Sequence, residues 1–274
     1  MSANLMGVVM RKDIVMKKSR LRGAAIALVL GAGLANLAHA DTAHQGGAIV
    51  VTYKDDMATL DPAIGYDWQN WSMINSLFSR LVDYKFGTTE IVPSLADSWT
   101  ISPDGLVYTF KLNPKAKFTN SRRITAADVK YSIERAVNPK TQGPGGGFFH
   151  SIVGQDKMAD GSATTIAGIE AVDESTVKFT LSQPDATFLN VLALNFASVV
   201  PKEVVDGEGA DFGKKPIGSG AFKLDEWVAG QRLVFSRNVD YFRERPNLDG
   251  FKVEIGHGRE HGLPAVFRRP AGLA

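Results

Sequence analysis

The residues of this chain whose types could do chemistry are few, and their spacing favours binding over catalysis. There is no cysteine, which removes disulfides, thiol nucleophiles, thiolate metal sites and a lipid-modified N-terminal cysteine together. Five histidines are present, and His150 has no His, Asp or Glu at metal-ligand spacing, so no metal site and no cofactor are expected. No G-x-S-x-G elbow and no H-E-x-x-H occurs. The carboxylate pairs Asp55-Asp56 and Asp173-Glu174 are adjacent, so on a strand they would point to opposite faces, and solvated turns are the better reading. Gly213-Lys214-Lys215 resembles a nucleotide loop only superficially, because Glu208 stands where its first glycine would be and no Ser or Thr follows.

Gly218 and Gly220 flank Ser219 in the stretch Pro216 to Tyr241, where the backbone could turn tightly or approach another surface closely. A phosphate cradle would need a helix N-terminus behind it, and no helix signal follows Gly220. A structural corner leading into a hairpin is expected, with strands over 221–227 and 232–237 and a turn at 228–231. Gln142 to Gly147, QGPGGG, opens onto Phe148-Phe149-His150. It is either a mobile loop gating a ligand or a surface loop whose aromatics tuck back onto the core.

The remaining elements supply a scaffold. Ala48 to Tyr53 is apolar enough for a strand buried on both faces. After the turn at Leu60-Asp61-Pro62, Trp71, Ile74, Phe78, Leu81 and Val82 recur at helical spacing and read as a core-facing stripe. Pro103-Asp104-Gly105 predicts a hairpin turn, with Leu106, Tyr108, Phe110 and Leu112 sharing one face of its second strand. Thr125-Ala126-Ala127-Asp128 has capping-box spacing ahead of a helix through Val129, Ile133, Ala136 and Val137, stopped by Pro139. A strand, turn and strand follow over 166–181, then a helix from Asp185 through Phe188, Leu189, Leu192 and Ala193, closed by Asn195-Phe196.

Composition sets the class. With 274 residues, 44 % hydrophobic and 22 % charged, the chain can bury a sizeable core. A net charge of +2 gives no warrant for a nucleic-acid partner. Residues 1–40 have the form of an export signal: a basic run from Arg11 to Arg22, an apolar run from Gly23 to Leu37, and Ala38-His39-Ala40 as a small-x-small site, with cleavage after Ala40. The apolar run falls short of the roughly 20 residues that span a bilayer. Met10 or Met16 could be the true start.

Four ordered motifs then give a resemblance. They are Leu60-Asp61-Pro62; Ile91 to Trp99 (IVPSLADSW) with Asp104-Gly105 and Tyr108-Thr109-Phe110; Thr125 to Val129 with Tyr131-Ser132; and Pro216 to Gly220 with Asn238 to Phe242 (NVDYF). Over about Gly47 to Ile255 the chain resembles the family 5 extracellular solute-binding proteins of ABC importers, the dipeptide, oligopeptide and nickel group. Gly87 to Glu90 and Asn195 to Ser198 look most like the dipeptide-binding branch. The resemblance implies an α/β, periplasmic-binding-protein-like (type II, family 5) first lobe with an inserted α+β subdomain, the second lobe missing. It implies a first lobe over 41–62 and 165–255, with the insertion at 63–164. It also implies a monomer in the periplasm that takes a peptide ligand to an ABC permease with its ATPase subunits and meets the membrane only through that permease.

Members run to roughly twice this length, and residues 256–274 have no period and are rich in Arg, Gly, Ala and Pro. That is the composition of a GC-rich coding region read out of frame. A frameshift or truncation after about Ile255 and a disordered tail are expected. The groups that hold a peptide's termini in this family lie chiefly on the second lobe. The resemblance therefore leaves Tyr66, Asp67, Trp68, Phe148, Phe149, Asn195, Phe196 and Ser219 as expected ligand-binding positions. Two other readings stand beside peptide binding: a remnant that binds nothing, and a secreted hydrolase.

Overall fold

The computed structural model describes residues 46–256. The export signal, its cleavage point and residues 257–274 of the tail lie outside the described residues. Among the described residues, ten strands form two sheets of four strands and one of two strands, and five α-helices accompany them.

The first sheet has the order β1-β10-β9-β8, from β1 (Ala48–Tyr53), β8 (Phe222–Val228), β9 (Arg232–Arg237) and β10 (Gly250–Ile255). β1 and β10 run parallel, Ala48 opposite Gly250 and Tyr53 opposite Ile255, and the other pairs are antiparallel. The expected hairpin forms as read, and Gly230 sits in its turn at φ 68°, a conformation that suits glycine. β1 differs from expectation. It is an edge strand, half-buried along its whole length. An apolar run cannot reveal whether both of its edges will be paired, because its partner β10 arrives about two hundred residues later.

The second sheet has the order β4-β5-β7-β6 and is antiparallel throughout. Its strands are β4 (Ala96–Ile101), β5 (Val107–Leu112), β6 (Ile169–Asp173) and β7 (Thr176–Thr180). Tyr108, Phe110 and Leu112 on β5 are buried together, as their alternation predicts. Phe110 meets Phe179 edge-on at 5.8 Å and Phe179 meets Phe188 at 5.5 Å, an aromatic chain of favoured geometry. α2 (Ala126–Val137) covers this sheet and starts as read: the Asp128 carboxylate accepts the Thr125 backbone N–H at 2.9 Å. A boundary at 164/165 would divide this sheet. β6 and β7, expected with the first lobe, pair with β5, and the same core continues through Val199.

α1 (Trp68–Leu77) lies between two hydrophobic cores. Met73, Ile74 and Leu77 join the core under the β1-β10-β9-β8 sheet, while Trp71 packs against the other. The helix ends at Leu77, with Phe78 as its cap. The expected stripe overran it: Leu81 is buried beyond the helix, and Val82 opens β2 (Val82–Tyr84), which pairs with β3 (Ile91–Pro93). What stops α1 is the Gly218–Gly220 corner. The Gly220 N–H donates to the Leu77 carbonyl at 2.8 Å, and a Cβ on Gly218 would stand 1.9 Å from that same oxygen. The two glycines serve close backbone approach. The smaller helices are α3 (Gln155–Ala159), α4 (Phe188–Leu192) and α5 (Lys202–Glu208).

Candidate functional site

An aromatic face surrounds the N-terminus of α1, at the carboxyl ends of the parallel pair β1 and β10, which is where α/β sheets commonly present ligands. Asp67 starts the helix: its Oδ1 accepts the Asn70 N–H and its Oδ2 accepts Asn70 Nδ2–H, both at 2.8 Å. An N-cap of this kind satisfies an orphan donor and fixes the entry of the chain. It turns Tyr66 and Trp68 outward, 59 % and 68 % exposed, and such exposure for two large aromatics costs free energy unless something covers them.

Their neighbours make the face a built surface. Tyr66 stacks on Phe196 (ring centroids 5.6 Å apart) and meets Trp71 edge-on at 5.9 Å. Phe148 stacks on Phe196 from another side at 5.7 Å, and Trp71 meets Phe196 edge-on at 5.6 Å. Tyr53, the last residue of β1, meets Trp68 edge-on at 5.3 Å. Trp71 Nε1–H donates to the Gly65 carbonyl at 3.0 Å, which anchors the loop that carries Tyr66. The face thus offers ring edges and planes, and its one carboxylate is occupied by the helix cap.

Of the residues expected from sequence, Tyr66, Asp67, Trp68, Phe148 and Phe196 come together here. Phe196 itself is buried and acts as the plate on which Tyr66 and Phe148 stack, while Trp68 rests against Tyr53. Phe149, Asn195 and Ser219 sit elsewhere. Phe149 is fully buried in the core beneath its loop. The Asn195 side chain is buried, its Oδ1 accepting Arg80 Nη1–H at 2.6 Å and its Nδ2–H donating to the Trp71 carbonyl at 3.2 Å. Ser219 is fully buried in the corner, where its carbonyl accepts the Ser79 hydroxyl at 3.1 Å. The QGPGGG loop lies close against the body: a Cβ on Gly145 would fall 2.3 Å from the Phe196 ring, and one on Gly143 2.0 Å from the Ala63 carbonyl oxygen; of its two aromatics Phe149 tucks into the core and Phe148 stays exposed.

Sequence reading missed Tyr53, Trp71 and Arg80. Trp71 follows Trp68 by three residues, a spacing that puts both on one side of a helix. Arg80 is the lone cation in Leu77 to Val82, and that isolation was a legible sign of a buried charge. Nothing local connects Tyr53 to this face.

Further cavities lie away from this aromatic face. One of about 620 Å3 lies between Met57, Ile217, Leu224 and Trp227; Asp56 closes its end by accepting the Gly230 N–H at 2.6 Å. Another of about 560 Å3 is polar and contains Asp61, Tyr131, Arg135 and Asp206. There the Arg135 guanidinium and the Asp61 carboxylate form a buried two-bonded pair. Burial, with the nearby Asp206 carboxylate adding, pushes the Tyr131 phenol up to about 12. No group of three or more His, Asp or Glu side chains able to hold a metal occurs among the described residues. The single Ser-x-x-Lys spacing, Ser175 to Lys178, makes no nucleophile pair: the serine hydroxyl donates to Asp173 at 2.9 Å and the lysine pairs with Glu170.

Residues 90–260 match the family described as bacterial extracellular solute-binding proteins, family 5 Middle. This chain belongs to that family. Among curated family 5 relatives, the probable D,D-dipeptide-binding periplasmic protein of Escherichia coli is 36 % identical over 250 residues, covering 88 % of this chain and 45 % of the relative. The murein tripeptide binding protein MppA of Escherichia coli superposes with a TM-score of 0.69 at 32 % identity, over 78 % of this chain and 42 % of that one. DppA from Helicobacter pylori, in complex with the peptide STSA, gives 0.67 at 32 % identity, over 77 % and 43 %. The chain therefore spans less than half the length of these relatives. The family 5 fold agrees with the α/β expectation, and no helix among the described residues is long and apolar enough to cross a membrane.

Proposed function

We propose that the chain is the substrate-binding component of an ABC importer for peptides of the dipeptide and oligopeptide class, acting in the periplasm. The observation that carries this reading is the exposed face of Tyr66 and Phe148 braced by Phe196, with Trp68 beside them on Tyr53, in a family 5 member whose similar proteins include several named for peptides. The face supplies no free charge, since Asp67 is engaged in capping α1. It takes up side chains and backbone of an extended peptide by stacking and apolar contact. Tolerance of varied sequence follows, because every side chain offers apolar surface but few offer the same polar pattern.

On this reading the signal is removed after Ala40, the protein delivers its peptide to a permease with ATPase subunits, and it performs no chemistry on the ligand. The unit built on the second sheet runs through residue 199, and residues 200–255 return to the first.

Tryptophan emission tests the proposal, because Trp68 and Trp71 both border the face. Saturable change on titrating di- and tripeptides, with each peptide recovered uncleaved, is the expected result. No saturable response to any di-, tri- or oligopeptide leaves a protein that binds nothing of this class. Cleaved peptide would establish a hydrolase.

A further inference from the structure

Behind the aromatic face lies a cation that the peptide-binding reading does not use. Arg80 is 3 % exposed. Its Nη1 donates to Asn75 Oδ1 and to Asn195 Oδ1, each at 2.6 Å, and its Nη2 donates to Asp83 Oδ2 at 2.6 Å. Its Nε has no hydrogen-bond partner among the described residues. The three acceptors belong to different parts of the chain: Asn75 to α1, Asp83 to β2, and Asn195 to the short 3-10 turn Asn195–Ala197.

A guanidinium held this deeply is costly when the one carboxylate paired with it among the described residues is itself half-exposed. As a device for stability alone it is poorly built, and an apolar side chain of similar volume would serve that end as well. As a fixing device it is well built. The planar fork holds its acceptors at set angles, and a lysine ammonium at this place would lack the fork that meets Asn75, Asn195 and Asp83 together.

What the fork fixes is the aromatic plate. Asn195 receives Arg80 on one side of its amide and gives its other side to the Trp71 carbonyl at 3.2 Å. The next residue is Phe196, on which Tyr66 and Phe148 stack and which Trp71 meets edge-on. We propose that Arg80 is a positioning residue which, through Asn195, sets the placement of Phe196 and Trp71, and so of Tyr66 and Phe148, for ligand contact. The link to ligand rests on the peptide-binding reading; the link to the aromatic plate does not.

The test labels all four tryptophans of the full chain with fluorotryptophan and reads their fluorine NMR resonances, Trp71→Phe assigning the one of interest. Three variants are compared: Arg80→Lys, Asn195→Ala, and Arg122→Met. The last loses the pairs of Arg122 with Asp128 and Glu203, a different part-buried ion cluster. Arg80→Lys and Asn195→Ala are expected to shift the Trp71 resonance and leave Trp99 and Trp227 in place, and Arg122→Met is expected to leave Trp71 unmoved. Affinity for alanyl-phenylalanine is expected to fall about tenfold in either of the first two variants, and by no more in the double variant, since both cut one chain of contacts.

An unmoved Trp71 resonance in both Arg80→Lys and Asn195→Ala overturns the proposal, and so does an equal shift in Arg122→Met, which would mark a general loosening. If Arg80→Lys does not fold, Asp83→Asn takes its place, because it removes the charge that holds Arg80 and leaves Asn195 and its bond to the Trp71 carbonyl intact. Should the parent bind no peptide, the peptide reading falls while the resonances still judge the role of Arg80. A shifted Trp71 with unchanged affinity would show that Arg80 orders the plate but not the ligand, and would overturn the link to binding.

Discussion

At the scale of single residues, two aromatics that look alike in sequence have opposite assignments. Trp68 is 68 % exposed and Phe149 is fully buried. Replacing Trp68 with Ala is expected to cost less than about 1 kcal/mol of stability, because little area is lost from water-free contact, and to weaken peptide binding by about tenfold through the lost stacking. Phe149→Ala is expected to cost about 3–5 kcal/mol with affinity preserved wherever the protein stays folded. Urea denaturation together with calorimetric titration separates the two patterns, and a Trp68→Ala variant that unfolds as readily as Phe149→Ala would remove the basis for the binding face. Gly145→Ala belongs to the same scale. Its Cβ would meet the Phe196 ring at 2.3 Å, so it should disturb the plate from behind, visible as lost near-ultraviolet dichroism from the stacked rings.

At the scale of elements, turns and caps decide where strands and helices stop. The β6–β7 turn is held by Asp173, whose carboxylate accepts the Thr176 hydroxyl at 2.7 Å and the Ser175 N–H at 2.7 Å. Thr176 first, then the Ser175 backbone and hydroxyl, hold its pKa at about 2, below the ordinary 3.8. A carboxyl with a depressed folded-state pKa contributes stability that is present above its unfolded value and lost as pH falls through the folded one. Stability should therefore decline between about pH 4 and about pH 2 by a component that Asp173→Asn lacks. Acid titration of both proteins by circular dichroism checks this, and parallel curves would refute it. The Gly218–Gly220 corner is the other case. Gly220→Ala would drive a Cβ to 2.3 Å from the Ser76 carbonyl oxygen, a contact with helix backbone that cannot rotate away, and should cost about 1–3 kcal/mol as overpacking.

At the scale of the whole described region, α1 joins two cores, and its N-terminus carries the aromatic face proposed to take up peptide. Trp99 packs against one core and Trp227 against the other, so each reports its own half. A peptide at about one hundred times its Kd should stabilise the folded protein by about 2.7 kcal/mol, and the urea midpoints read at Trp99 and Trp227 should rise together. A rise at one tryptophan alone would show that the cores unfold separately and that α1 does not couple them. Much of this organisation was legible beforehand. Alternation located β5, the Thr125–Asp128 spacing located the start of α2, and Gly230 located the β8–β9 turn, because each is set by residues within a few positions of one another. Tyr66, Trp68 and Phe148, which prove to be exposed, stood among the eight positions that the resemblance named, beside Phe149, Asn195 and Ser219, which are buried. Sequence could not show that β1 is an edge strand, that β6 and β7 complete the sheet of β4 and β5, or that Phe149 and Ser219 turn inward while Tyr53 turns toward Trp68. Those facts depend on which distant segment packs against which, and nothing within a few residues of β1 or Ser219 encodes it. Sequence by itself determined the elements, the family and the stock of aromatics; only the tertiary structure decided which rings meet, because stacking at 5–6 Å across more than one hundred residues of chain is fixed by packing and not by local preference.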